Sequence, residues 1–219
     1  MTARAKKPAK SVTREDVLKA ALKHVPFDGF TDTVLERAGK EAGASKDDVA
    51  RLFPEGPLDL VEAFSDWADA EMEAALAKKK LAAMKIRDRI RTAVWARIEA
   101  LRTDKEAARR AGAFLTLPPH AATGMKLLYR TVDRMWRSVG DTSTDFNFYT
   151  KRAILAGVYS STLMRWFTDQ SEDEAETKAF LDARIENVMT FEKFKAQVKE
   201  RTKDLPSLSD ILGRFSPRS

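Results

Sequence analysis

One stretch limits what this chain can fold into: Asp141 to Asp169, DTSTDFNFYTKRAILAGVYSSTLMRWFTD. Its centre, Ala153 to Tyr159, is seven apolar residues without a charge. Phe146, Phe148 and Tyr149 precede it, followed by Lys151 and Arg152; Leu163, Met164, Trp166 and Phe167 come after it. A surface helix carries one apolar stripe, whereas this segment is apolar nearly all round. It is expected to be a helix buried on several sides, at the centre of a core or lining a pocket or a subunit interface. Ser160, Ser161 and Thr162 interrupt the run, and it is too short for a bilayer span.

The surrounding chain supplies partners for such a helix. Its 219 residues suffice for one large or two small domains, and 43% hydrophobic with 33% charged residues is a soluble, globular balance. Cysteine is absent, so disulfides and thiol chemistry are excluded. No apolar run reaches bilayer length, and the basic N-terminus lacks the apolar region of a secretory signal. The expected location is the cytoplasm, peripheral on the inner membrane face of a bacterium.

Helical periodicity accounts for most of the rest. Residues 1–10 read as a flexible basic arm. Thr13 opens a helix with Asp16 at the capping-box position; Val17, Leu18, Ala21, Leu22 and Val25 form its stripe, and Pro26 and Gly29 break it. A second helix starts near Thr31 or Thr33 and ends before Gly43. A third runs from Ser45, boxed by Asp48, to Leu52, and a long one follows from Leu58 after a Pro54–Gly56–Pro57 turn. Met84 to Leu101 has Ile86, Ile90, Val94 and Ile98 spaced by four, with Arg87, Arg89, Arg91 and Arg97 read as lying off that stripe. Thr103 with Glu106 caps a helix that ends at Pro118, Met125 to Val139 is the next, and Ser171 with Glu174 caps the last long one. About nine helices and no strand make an all-α chain. Residues 11–64 form a helix-turn-helix-like three-helix unit, 65–199 a ligand-binding and dimerisation bundle, and 200–219 a tail. In the tail Leu208, Ile211, Leu212 and Phe215 make a short amphipathic turn or helix, to which the family resemblance given below adds membrane contact.

The net charge of +6 is uneven. Residues 1–14 hold five bases and no acid, and residues 78–110 twelve bases against four acids. Residues 31–62 hold four bases against eight acids. Basic clusters attract phosphates of nucleic acid or anionic lipid; they are equally the solvated face of a helix.

Catalytic groups are scarce. His24 and His120 stand far apart, and no metal-ligand spacing, glycine-rich phosphate loop or nucleophile elbow occurs. No catalytic residue, metal or cofactor is expected, and the chain is not read as an enzyme. A helical body rich in aromatics and methionines can instead hold an apolar ligand. The candidate lining residues are Phe114, Leu117, Met125, Leu128, Ile154, Leu155, Val158 and Leu163.

The layout of Gly39 to Phe64, GKEAGASKDDVARLFPEGPLDLVEAF, resembles a TetR-type regulator, with Ser45 to Leu52 as the recognition helix. That resemblance makes a ligand-responsive transcriptional regulator the alternative reading. Asp47 and Asp48 face a net-negative surrounding there, which opposes a phosphate backbone. The fold is therefore expected without nucleic-acid binding.

A second resemblance covers about residues 11–195. The LPPH element (Leu117 to His120), MWRSVGDTSTDFNFYTKR (Met135 to Arg152) and FLDAR (Phe180 to Arg184), together with HVPFDGFT and LFPEGPLDLVEAF, are similar to the TetR-like lipid-binding accessory proteins of ubiquinone (coenzyme Q) biosynthesis. The resemblance implies a non-catalytic homodimer that binds isoprenoid quinone or phospholipid and partners the demethoxyubiquinone hydroxylase. It also implies a hydroxylase-contacting patch at Asp133, Met135, Asp145, Phe148 and Tyr149. The family often has Trp where this chain has Phe148, which reduces stacking area at that contact.

Overall fold

The computed structural model describes residues 11–143 and 146–201, with the side chains of 146–147 and 191–201 left undescribed. The basic arm, Asp145, and the tail with Leu208, Ile211, Leu212 and Phe215 lie outside the described residues. Ten α-helices follow one another: α1 (Arg14–Ala21), α2 (Val25–Asp28), α3 (Asp32–Glu41), α4 (Lys46–Leu52), α5 (Pro57–Ala77), α6 (Ile86–Ala100), α7 (Lys105–Thr116), α8 (Ala121–Ser138), α9 (Phe146–Thr168) and α10 (Ala175–Arg201). Among the described residues there is no strand. The helix beyond the expected nine is α2, a single turn where a break was expected. Pro26 suits a first helical turn, and Gly29, at φ 74°, ends it.

Two of the four expected capping boxes form as spaced. The Asp16 backbone N–H donates to Thr13 Oγ1 at 3.2 Å and that of Asp48 to Ser45 Oγ at 3.1 Å, with both carboxylates returning the contact. The other two do not. Glu106 accepts from Arg109 and Arg110, and Thr103 turns its hydroxyl to Asp104, so α7 starts without a side-chain cap. Before α10 Ser171 does cap, its Oγ accepting the Glu176 N–H at 3.1 Å, but its partner is Asp169 in place of Glu174: Asp169 takes the N–H groups of Ser171 and Thr177, each at 2.8 Å.

α1, α3 and α4 form the three-helix unit around Val17, Leu18, Val34, Leu35 and Phe53. The α3–α4 crossing is close because Gly39 has no side chain: a Cβ there would stand 2.4 Å from Val49 Cγ2. α5 joins this unit to the body. Leu60, Phe64, Ala68, Met72 and Leu76 recur every four residues along it and are buried. It packs on α1 and α3 as well as on α6 and α8, so one continuous core runs through the chain. α9 lies on α8, α10 covers α9 and α6, and α7 closes against α2, α8 and α9.

α9 departs from the expectation of burial on several sides. Arg152, Leu155, Tyr159, Thr162 and Trp166 are buried at helical spacing, while Ala153, Gly157 and Met164 are exposed. The run is sorted by size and not by polarity. Leucine, tyrosine and tryptophan fill the core, and alanine and glycine, which bury little area, face outward.

α6 also needs a correction. Ile90, Val94, Ile98 and Leu101 are buried as spaced, but Ile86 is 48% exposed and Arg97 is buried within the core. Part of the basic charge of residues 78–110 is engaged within the chain. Arg91 pairs with Asp88 and Asp182, Arg102 with Glu99 and Glu174, and Arg89 donates to the carbonyls of Ala82, Met84 and Val139.

Candidate ligand cavities and docking rim

Arg152, in the second turn of α9, organises the rim. It is 1% exposed. Its Nε donates to Asp133 Oδ1 of α8 at 2.7 Å, and its Nη1 donates to Asp141 Oδ2 at 3.3 Å and to the Phe148 carbonyl at 3.2 Å. Its guanidinium carbon lies 3.4 Å from the Phe148 ring centre, within cation–π range. Phe148 meets Tyr149 edge-on at 5.1 Å, and Tyr149 is 65% exposed. Burial pushes the Asp141 carboxyl up, but hydrogen bonds from Lys151, Ser143 and Arg152 outweigh it and hold the group at about 2.

The rim thus brings together three of the five residues expected in a partner patch: Asp133, Phe148 and Tyr149. Met135 is not on that surface. It is 0% exposed because it follows Val132 by three on the inner face of α8, so its placement in a surface patch is corrected. Asp145 falls outside the described residues.

The expected lining residues are divided by α9 between two small cavities. One, of about 100 Å³, lies among α6, α8, α9 and α10 and includes Ile154, Leu155 and Val158, with Trp136 and Ile185 opposite. The other, of about 130 Å³, is a half-open pocket lined by α5 to α9 and includes Leu128 and Leu163. Val158 and Tyr159 are successive residues on opposite cavities. Phe114 stacks on His120 at 4.2 Å and tilts against Phe30 at 6.4 Å. Leu117 and Met125 are 50% and 66% exposed, so the eight residues do not share one wall.

Sequence reasoning missed the polar part of the second cavity. Arg97, Thr131 and Tyr159 line it among apolar side chains. Arg97 Nε donates to Asp69 Oδ1 at 2.7 Å, and the Thr131 hydroxyl reaches the same carboxylate at 2.9 Å. The signal was in the spacing: Arg97 stands three after Val94 and four before Leu101, on the buried stripe and not beside it.

Outside the body's core, a surface cleft of about 760 Å³ runs between α5, α6 and α10 beneath Lys79, Arg91 and Lys178. Glu71, Glu99 and Asp182 on the same walls balance those charges.

Comparison with known proteins shows what the chain resembles. Residues 121–192, spanning α8, α9 and the larger part of α10, match the family model for COQ9. The likeness reaches further than that segment. The rat "Ubiquinone biosynthesis protein COQ9, mitochondrial" is 34% identical over 190 residues, covering 84% of this chain and 61% of the rat protein. The human COQ9 protein is 32% identical over 84% of this chain and 59% of its own length. The fission yeast one is 28% identical, over 84% and 73%. The chain therefore spans about three fifths of the length of the mammalian COQ9 proteins it matches. A crystal structure of a TetR transcriptional regulator from Nitrosomonas europaea shares the fold, with TM-score 0.61 at 18% identity, over 78% of this chain and 95% of that one. The COQ9 match includes the whole docking rim and the α9 wall of both cavities.

Proposed function

We propose that this chain is a non-catalytic, membrane-associated accessory protein of ubiquinone biosynthesis that binds isoprenoid quinone intermediates and presents them to the demethoxyubiquinone hydroxylase. The observation that carries this reading is the likeness to COQ9 proteins of ubiquinone biosynthesis over 84% of the chain. Two features support it. The cavities on either side of α9 have mainly apolar walls suited to an isoprenoid. The rim at Asp133, Phe148 and Tyr149 stacks Phe148 on an anchored arginine with the exposed Tyr149 edge-on against it, and aromatic anchors of this kind dominate protein interfaces.

Among the described residues no helix is long and apolar enough to cross a membrane. Membrane contact in this reading is peripheral, on the inner face, through Leu208, Ile211, Leu212 and Phe215. The chain acts as a homodimer. Each cavity is below the range of about 300–1,000 Å³ usual for ligand pockets, so a polyprenyl tail enters by parting α9 from its neighbours. The transcriptional alternative gains no observation of its own, since α4 starts with two acids and Asp48 is spent on Ser45 and Arg51.

Lipid extraction and mass spectrometry of protein purified from a quinone-making host test the reading. The expected result is a bound polyprenyl quinone or phospholipid at a substantial fraction of the protein. A preparation free of any such lipid overturns it.

A further inference from the structure

We propose that Arg97 is the polar anchor of the cavity lined by α5 to α9, and that this cavity takes a neutral, oxygen-bearing ring at the end of an apolar ligand. The inference rests on the lipid-binding reading above and adds to it a location, a residue and a head-group chemistry.

Arg97 is 4% exposed, and its three nitrogens are unequally served. Nε donates to Asp69 at 2.7 Å, Nη2 reaches the Ser65 carbonyl at a long 3.4 Å, and Nη1 is buried with no hydrogen-bond partner. Buried donors are nearly always paired, so an orphaned guanidinium N–H on a cavity wall calls for an acceptor. The same wall holds Thr131 and Tyr159, with Phe64, Leu127, Leu128 and Leu163 around them. Burial pushes the Tyr159 phenol up, so it stays neutral and keeps its O–H.

Charge selects among acceptors. Asp69, 0% exposed, already balances Arg97, and accepts from Thr131 at 2.9 and 3.1 Å. Arg134 stands at 4.0 Å from the same carboxylate and is shared with Asp66 and Glu73. A carboxylate or phosphate ligand would add an unbalanced negative charge beside the buried Asp69. A cation would lack an acceptor, and a hydrocarbon would leave the N–H unpaired. A neutral carbonyl or quinone oxygen satisfies the donor without burying a new charge. Size agrees: a cavity of about 150 Å³ lined by aliphatic and aromatic residues is known to take up benzene, and this one is about 130 Å³. A ring fits, and its tail must leave past Leu128 or Leu163.

Three probes of matched tail length separate the possibilities in full-length protein: 2-decyl-1,4-benzoquinone, decylbenzene and 4-decylbenzoate, each measured by tryptophan quenching and calorimetry. The expected order is the quinone about tenfold tighter than decylbenzene, the worth of one charge-assisted hydrogen bond, with the benzoate no tighter than decylbenzene. Arg97→Lys keeps the charge facing Asp69 but lacks the fork, and its quinone advantage should fall to about twofold or less while the benzene analogue binds unchanged. Leu128→Trp fills the cavity while keeping both Arg97 and Asp69 in the chain, and should weaken all three probes. Equal binding of quinone and hydrocarbon to the wild type overturns the anchor, as does preferred binding of the benzoate. Quinone preference that survives both substitutions places the head group elsewhere; it overturns this inference and leaves the lipid-binding reading standing. If the wild type binds none of the probes and also purifies free of lipid, both fall.

Discussion

At Asp141 burial and hydrogen bonding act in opposite directions, and the outcome sets an acid limit on the fold. Its side chain is 6% exposed and takes Lys151 Nζ at 2.8 Å, Ser143 Oγ at 2.7 Å and Arg152 Nη1 at 3.3 Å. A carboxylate held at about 2 in the folded chain, against an ordinary 3.8, favours folding by about 2 kcal/mol when ionised. Because the folded value is the lower one, that contribution is complete above about pH 4 and is lost as the pH falls towards 2. Asp141→Asn should therefore cost about 2 kcal/mol at pH 7 and flatten the loss of stability between pH 4 and 2, measured by urea unfolding at each pH. An unchanged acid slope would mean the pairing contributes little. Asp141 was visible in the sequence as part of a GD element, but its role was not, since Lys151 and Arg152 reach it from ten and eleven residues away. Arg97 was hidden differently. A charged residue on an apolar stripe was read as lying beside the stripe, because arginines are rarely buried without a partner, and the partner, Asp69, is on another helix.

Among the elements, α8 and α9 show what spacing can and cannot tell. Val132, Met135 and Val139 on α8 stand three and four residues apart, the spacing of a buried stripe, and that spacing should have kept Met135 out of a surface patch. The patch residues came from a family likeness, which transfers positions without their orientation. The structure separates the two roles and so makes them testable. Tyr149→Glu changes an exposed ring and should leave stability within about 0.5 kcal/mol, while abolishing capture of the purified hydroxylase on a biosensor surface. Met135→Ala empties a buried site and should cost about 2–5 kcal/mol, with any loss of capture following the fraction unfolded. Full capture by a folded Tyr149→Glu protein would move the docking surface off this rim. The ends of helices were less legible than their faces. Thr103 and Glu106 have the right spacing for a box, but Arg109 and Arg110 one turn on compete for the carboxylate and win.

For the whole molecule, the all-α, TetR-like arrangement was readable because it depends on stripe, turn and glycine positions, which survive when identity to a solved relative is only 18%. Burial of α9 was over-read because the single chain leaves one of its faces open. Ala153, Gly157 and Met164 form that face, and a side chain added at Gly157 would meet nothing within 4 Å. Ser161 turns its hydroxyl back to the Gly157 carbonyl at 2.7 Å, so the face does not depend on water to satisfy it. Small residues let two helices approach closely, and in the proposed homodimer a second α9 would cover this strip. A bulky residue at its centre tests that arrangement with little effect on the chain's own packing. Gly157→Leu should leave the monomer fold intact, or stabilise it by up to about 1 kcal/mol through better helix propensity. In light scattering after gel filtration the wild type should run as a dimer and the variant as a monomer at the same concentration, because a leucine from each copy forces the helices apart. If both run as dimers, the second copy sits elsewhere, and the open face of α9 has to be covered by something other than itself.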